Sequence, residues 1–315
     1  MKILFIAPKY TGGIGGHAKR VADKLREEGF EIELMHVPHI PIKKLKNPSF
    51  AIISTLKALC GTKKYDVVHA FNLPSAFAMK SVKAEKRVLS IHGVYSEQID
   101  ALHSEITSSK IKNKEKNILQ WADVLLTNSK NVKKTYREKL GLDFKYIYGP
   151  IDSKKFEKLD KSIQKEHQVV YVGRNSYEKG IDIIKKIESQ INAKVVYCTD
   201  MEWEKAMNVL KSSKIVLIPS RIDNIPNIIK EAFFLKIPVV ASDISGINEV
   251  ISNNVNGVLV ESENSEKFIE AVNELLEDED KIKRITEKAY DFILKNFTWN
   301  TLFPKYRQFY LDLAE

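Results

Sequence analysis

Short apolar runs alternate with helical patterns along almost the whole chain, and that alternation leaves few folds open. Runs rich in β-branched residues stand at Ile3 to Ala7, Ile32 to Val37, Val67 to Ala70, Arg87 to Ile91 and Val124 to Thr127, with patterns such as His17 to Glu28 between them. Successive strands separated by a helix pair in parallel, and a parallel sheet buries both faces under its crossover helices. The alternation breaks near 145–156, at Gly149 and Pro150, and resumes at Gln168 after the polar run Asp160 to His167. It then gives strands at 168–172, 194–198, 214–218, 237–241 and 257–260, with helices from 179, 202, 226, 264 and 280. At 315 residues and 43% hydrophobic, the chain suffices for two cores. The expected class is therefore α/β: two Rossmann-like, doubly wound parallel-sheet domains, residues 1–150 and 151–296, with an aromatic-rich helix over 297–315.

Charge is divided unevenly. Residues 1–150 hold 26 Lys and Arg against 14 Asp and Glu, whereas 151–315 hold 24 against 27, so the net +9 comes from the first half. A basic first domain suits an anionic membrane surface or an acidic acceptor, and no nucleic-acid-binding motif accompanies the charge. Two segments have the makings of membrane contact: Lys43, Lys44 and Lys46 before the apolar stretch Phe50 to Leu59, and Lys110 to Lys116 before Trp121. Phe50, Ile52, Ile53, Leu56 and Leu59 fit a helix packed on a sheet equally. No apolar stretch approaches the ~20 residues that cross a bilayer, and Met1 to Ala7 reads as a strand, which predicts a cytoplasmic protein, at most peripheral on the inner face of a membrane. The cysteines Cys60 and Cys198 form neither a disulfide framework nor a metal-ligand spacing.

The stretch Pro219 to Ala232 carries the most chemistry. The buried strand before it ends at Pro219 and Ser220; Asn224 is expected to cap a helix with Pro226 in its first turn. Asp223 then sits beyond the strand, and Glu231 projects from the helix's second turn. Amide groups of Asn224, Ile225 and Asn227 lie between them, with Pro226 fixing the backbone. A helix start attracts phosphate, and flanking carboxylates accept hydrogen bonds from sugar hydroxyls. Upstream, Val169 to Gly180 runs a strand into a loop holding Arg174 and Lys179, two cations suited to a diphosphate.

Together these elements resemble glycosyltransferase family 4, the retaining nucleotide-sugar enzymes of the GT-B fold. The likeness extends to Thr11-Gly12-Gly13-Ile14-Gly15-Gly16-His17, similar to the family's glycine-rich loop, to Ser90-Ile91-His92-Gly93-Val94, to Pro238 to Ser242, to Gly246 to Val250 and to Asn256 to Val260. The resemblance implies two domains facing a cleft, with the last helix crossing back onto the first. It implies that Arg174 and Lys179 hold the diphosphate, that Glu231 binds the ribose, and that Asp223 with the following amides holds the transferred sugar. His92 would lie near its C1 and O6, while Gly12, Gly13, Gly15 and Gly16 let backbone approach the phosphates. No cofactor or metal is implied. The donor would be a UDP-sugar or GDP-sugar, the transferred group a hexose or N-acetylhexosamine, and the acceptor a glycan, a lipid-linked species or a small molecule.

The chain departs from the family in three places. Asp223 stands for the commoner glutamate, and Phe30 for a histidine. The segment between Lys194 to Cys198 and Lys214 is short by about one strand-helix unit, which leaves the base unassigned. A nucleotide-sugar-binding protein without turnover and a sugar-nucleotide epimerase of the same fold stay open. Other patterns carry less. Gly13 to Ala18 matches a loose dinucleotide motif, but no acid ends the second strand. Asp278-Glu279-Asp280 reads as solvated charge. His36 and His39 lack a third ligand, and His69 reads as a strand residue.

Overall fold

A computed structural model of the protein describes residues 1–9, 13–40, 42, 45–94 and 114–314. They form two compact units, Met1–Gly149 with Phe303–Glu315, and Pro150–Leu302.

The first unit is built on strands β1 (Lys2–Pro8), β2 (Glu31–Val37), β3 (Lys64–Phe71), β4 (Lys83–Ile91), β5 (Val124–Thr127) and the short β6 (Lys145–Tyr146). They pair in parallel in the order β2-β1-β3-β4-β5-β6. Helices α1 (Gly13–Glu27), α2 (Lys46–Leu59), α3 (Ala76–Ser81) and α4 (Lys130–Leu140) connect them, with a further helical segment over 114–119. Ile3, Phe5 and Ile6 of β1 are wholly buried, as a central strand covered on both faces requires. α4 closes in the usual way: Ser129 caps its start by accepting the Val132 amide, and Gly141 ends it in the left-handed conformation.

In the second unit β7 (Gln168–Val172), β8 (Lys194–Cys198), β9 (Ile215–Ile218), β10 (Val239–Ser242) and β11 (Val258–Val260) form a parallel sheet ordered β11-β10-β9-β7-β8. Its helices are α5 (Ile181–Ile187), α6 (Trp203–Ser212), α7 (Asn227–Phe234), α8 (Ser265–Glu277) and α9 (Glu279–Asn296). Val169, Ile184, Leu217, Val240, Phe268 and Val272 join in one apolar core. Between β8 and β9 the chain places α6 alone, so β8 forms the sheet's edge. α10 (Trp299–Leu311) begins in the second unit, and its residues from Phe303 group with the first; Pro304, which lacks an amide for the helical ladder, lies at that change.

Two features differ from the sequence expectation. α1 starts at Gly13, so Gly13, Gly15 and Gly16 form its first turn and not a loop; Gly12 lies outside the described residues. Gly13 takes φ +56°, a conformation glycine adopts without Cβ strain at a helix entry. The helix after Asp223 starts at Asn227, and its cap position is Pro226, in extended conformation, not Asn224. Proline disfavours α geometry in the residue before it, so Ile225 cannot join the helix and the start moves past Asn224.

Candidate functional site

In each sheet the chain adds its second strand on one side and its third on the other. The reversal opens a crevice beyond the carboxyl ends of the two strands at that point, where open α/β sheets take their ligands. In the second unit these strands are β7 and β9. Arg174 and Lys179 follow β7; Asp223 follows β9.

Tyr171, near the end of β7, sets the first loop. Its hydroxyl donates to the Arg174 carbonyl at 2.7 Å, and a Cβ on Gly173 would come within 2.9 Å of that hydroxyl. Burial raises the Tyr171 pKa; Arg174 opposes this, while Asp223 and Glu178 reinforce it, so all three charges lie within electrostatic reach. The Arg174 side chain is 71% exposed and lies 3.3 Å from Glu178. The loop then tightens into a 3-10 turn, Tyr177–Lys179, and passes through Gly180 at φ +67°. A Cβ on Gly180 would lie 1.9 Å from the Pro219 carbonyl oxygen, so only glycine lets the turn close against the end of β9. Ser176, which opens the turn, holds a buried hydroxyl without a hydrogen-bond partner among the described residues.

That closure brings Lys179 onto Asp223, where ammonium and carboxylate form a direct ion pair with side chains only 21% and 15% exposed. The other Asp223 oxygen accepts the Asn224 amide at 3.0 Å. Gly246, after β10, packs so closely that its Cβ would fall 2.4 Å from the Asp223 carbonyl oxygen and 2.2 Å from that of Asn224. Ile225 and Pro226 are buried beneath the loop, and Asn227 is exposed at the start of α7. Glu231 is half-buried, its Oε1 accepting the Trp203 indole N–H at 2.8 Å. Trp203 opens α6 and packs edge-on against Phe156 at 5.1 Å.

Arg221 ties these loops together. Its guanidinium donates to both Asp182 oxygens at 2.8 and 2.7 Å, to Glu263 at 2.7 Å and to the Tyr177 carbonyl at 2.8 Å. It also lies 4.0 Å over the Tyr177 ring, and the Arg221 backbone amide donates to the Glu178 carbonyl at 2.9 Å. The Arg221 hydrogen bond is the main reason the Asp182 carboxyl sits below its ordinary pKa. A forked, bidentate cation of this kind fixes geometry as well as charge.

His92 belongs to the first unit, just past β4. Its ring meets that of His17, on α1, edge-on at 5.2 Å. His17 Nε2 is 3.4 Å from the Tyr306 hydroxyl, which donates to the Tyr148 carbonyl at 3.0 Å. Beside them the buried His69 bonds Ser90 Oγ through Nε2 and the Tyr310 hydroxyl through Nδ1, both at 2.6 Å. Burial, with His92 adding to it, holds the His69 pKa well below its ordinary value, so the ring is neutral. Among the described residues no three His, Cys, Asp or Glu side chains cluster as metal ligands.

Two family models divide the chain between them. The model described as "Glycosyltransferase Family 4" matches residues 11–155, and "Glycosyl transferases group 1" matches residues 153–292. An uncharacterised glycosyltransferase of Methanocaldococcus jannaschii is 24% identical over 96% of this chain and 96% of its own length. The chain is a family 4-like glycosyltransferase of the GT-B fold. Its GT-B fold is shared with sucrose-phosphate synthase of Thermosynechococcus elongatus, at TM-score 0.80 and 15% identity over 99% of this chain and 98% of that one. Anabaena HepE in complex with UDP and glucose superposes at TM-score 0.76, with 18% identity over 99% of this chain and 100% of that one.

Within this family 4-like glycosyltransferase, sequence reading located the charged positions of the second unit but not their partners. It missed Arg221, which lies inside the motif yet looks like any solvated cation, and Trp203, for which the sequence holds no signal. Tyr306 and Tyr310 belong to the aromatic-rich tail, whose helical spacing put both on one face. On α2 only Phe50 of the five apolar residues is buried; Ile52, Ile53, Leu56 and Leu59 are exposed, against a simple packing of that face on the sheet. Lys43, Lys44 and 110–113 lie outside the described residues.

Proposed function

We propose that the protein is a retaining, metal-independent glycosyltransferase that moves a hexose or N-acetylhexosamine from a nucleoside-diphosphate sugar to an acceptor hydroxyl on a glycan, a lipid-linked species or a small molecule. The observation carrying this reading is the half-buried Lys179–Asp223 pair at the β7/β9 reversal, on loops that also carry Arg174, with Glu231 one turn past the start of α7. A diphosphate entering that crevice competes for the Lys179 ammonium. Once Lys179 turns to the anion, Asp223 is released to accept hydroxyls of the transferred sugar. Arg174, exposed and loosely held, closes on the phosphates from the other side.

As the bond from C1 to the diphosphate oxygen breaks, negative charge collects on that oxygen, where Arg174, Lys179 and the start of α7 stabilise it. The acceptor oxygen bonds to C1 on the same face, and its proton passes to the departing diphosphate. Fixed cations then do what a divalent ion does elsewhere. Glu231, oriented by Trp203, accepts the ribose hydroxyls. Likeness to HepE, crystallised with UDP and glucose, makes uridine diphosphate the first ligand to try.

The edge position of β8 favours one competing reading, a binder of sugar nucleotides without turnover. A thermal-shift panel of UDP, GDP and their sugars, followed by assay of nucleoside diphosphate release, separates the two. The transferase shifts with one base and releases diphosphate in the presence of an acceptor; a binder shifts and releases none. Arg174→Ala and Glu231→Ala are each expected to lower turnover by about two to three orders of magnitude with folding intact, as loss of one preorganised charge contact does. Wild-type turnover in both variants refutes the assignment.

A further inference from the structure

Helix α2 turns its small and polar residues inward and its large apolar ones outward. Ser49, Ser54 and Ala58 are buried with Phe50, while Ile52, Leu56 and Leu59 are 61%, 59% and 63% exposed. Spaced i, i+4 and i+7, those three form one stripe opposite the buried Phe50–Ser54–Ala58 face. Ile40, Ile42 and Leu45, just before the helix, extend it, each more than 40% exposed. Beside the stripe runs a groove of about 730 Å³ bounded by Ile52, Leu56, Leu73, Phe77, Lys114 and Ile118. Single exposed apolar residues are ordinary; a contiguous face with a groove is a contact surface.

The charge around this face decides the occupant. Glu115, the one acid among the described residues lining the groove, is buried and accepts the Tyr136 hydroxyl. Lys57, Lys80 and Lys114 are exposed and have no carboxylate partner among the described residues. The Lys80 ammonium instead lies 4.4 Å over the Trp121 ring, which packs edge-on with Phe77. A second copy docked here by two-fold symmetry would set these cations against their own kind. An apolar stripe edged by unpaired lysines is complementary to a surface that is apolar within and anionic at its boundary.

We propose that this face docks on an anionic lipid bilayer, with α2 in the headgroup plane, Ile52, Leu56 and Leu59 inserted among the acyl chains, and the lysines at phosphate depth. The inference rests on the first unit alone and stands apart from the donor reading.

Sedimentation with vesicles tests it, using phosphatidylcholine–phosphatidylglycerol mixtures against phosphatidylcholine alone. The wild type is expected to partition onto the mixed vesicles and to come off as salt rises. The double variant Ile52→Glu, Leu56→Glu should lose at least about tenfold in partition, and Lys57→Gln or Lys80→Gln about fivefold each, the weight of one juxtamembrane charge. Equal partition of wild type and double variant overturns the proposal, as does no partition at all. Dimerisation of the wild type that Leu56→Glu abolishes assigns the face to a second copy instead. Ile52→Ser and Leu56→Ser are expected to melt with the wild type; a fall of several degrees shows that the face is already covered by this chain. Thermal shifts with UDP or GDP, followed on the same variants, keep a failure here distinct from a failure of the donor site.

Discussion

The two sheets share one architecture, and the described residues at their rims differ in chemistry. Both reverse direction at the strand that opens them, at β1/β3 and at β7/β9. Beyond β7/β9 the side chains are ionic: Lys179 with Asp223, Arg174 with Glu178, and Arg221 with Asp182 and Glu263. In the first unit the described rim residues are mainly aromatic: neutral His69 held by Ser90 and Tyr310, with His17, His92 and Tyr306 alongside and the Arg20 charge within electrostatic reach of Tyr306. Repetition of strand and helix dictates where a crevice opens, and loop residues dictate what it attracts. An ionic rim suits an anion such as the proposed diphosphate, whereas the aromatic rim packs against α10.

The sharpest way to break this contrast is to remove the cation that joins the ionic loops. Arg221→Ala removes four side-chain hydrogen bonds and a stacking surface from the loops around Lys179, and is expected to weaken nucleoside diphosphate binding by about ten- to a hundredfold. Arg221→Lys keeps the charge without the fork and should recover little, because the Asp182 contact is bidentate. A positioning role predicts a larger change in ligand affinity, by calorimetry, than in melting temperature. Unaltered affinity in Arg221→Ala would mean that Lys179 and Asp223 hold their places unaided.

On the aromatic rim the lever is pH. The folded His69 pKa is depressed, so between the unfolded value near 6.5 and the lower folded value the unfolded chain binds the extra proton. Stability from this residue is therefore complete above that range and is lost as pH falls. The loss grows as pH falls from 7 towards 5, where the unfolded chain takes up the proton and the folded ring does not. Denaturation of the wild type across that interval, set against His69→Gln, should show the acid sensitivity reduced in the variant. Equal sensitivity would place the cause in other groups.

How much of this was legible beforehand follows from what each feature depends on. The strands were, apart from the exposed two-residue β6 that falls where the sequence pattern breaks, because burial on both faces demands unbroken apolar runs; β3 and β4 were read short because their amino ends, Lys64 to Asp66 and Lys83 to Lys86, are largely exposed. The start of α1 was not, since glycines that open a helix look like a loop. The apolar spacing of α2 was plain, but spacing cannot say which face a sheet will cover. Arg174 and Lys179 stood out by position, yet burial and pairing emerge only when Gly180 and Gly246 let distant loops close to van der Waals contact. Arg221 and Arg174 are the same side chain in sequence; only tertiary contact makes one a buried tie and leaves the other 71% exposed.

The smallest expected effect concerns the residue with no sequence signal. Trp203 joins Glu231 through one hydrogen bond of 2.8 Å, and its ring packs on Phe156, which in turn packs on Phe234 of α7 at 4.7 Å. Trp203→Phe keeps most of the aromatic contact and deletes the indole donor, removing one contact that orients the Glu231 carboxylate. A hydrogen bond to a charged acceptor is worth about 1.5–3 kcal/mol at most, and Glu231 regains part of that from water because it is only half-buried. The expected result is thus a roughly fivefold rise in the donor's KM with kcat nearly unchanged, since orientation of the ribose contact is lost equally in ground and transition state. A fall in kcat of the same size would instead tie Trp203 to the charge that develops during transfer, and the ionic rim would then extend from the β7/β9 crevice to the first turn of α6.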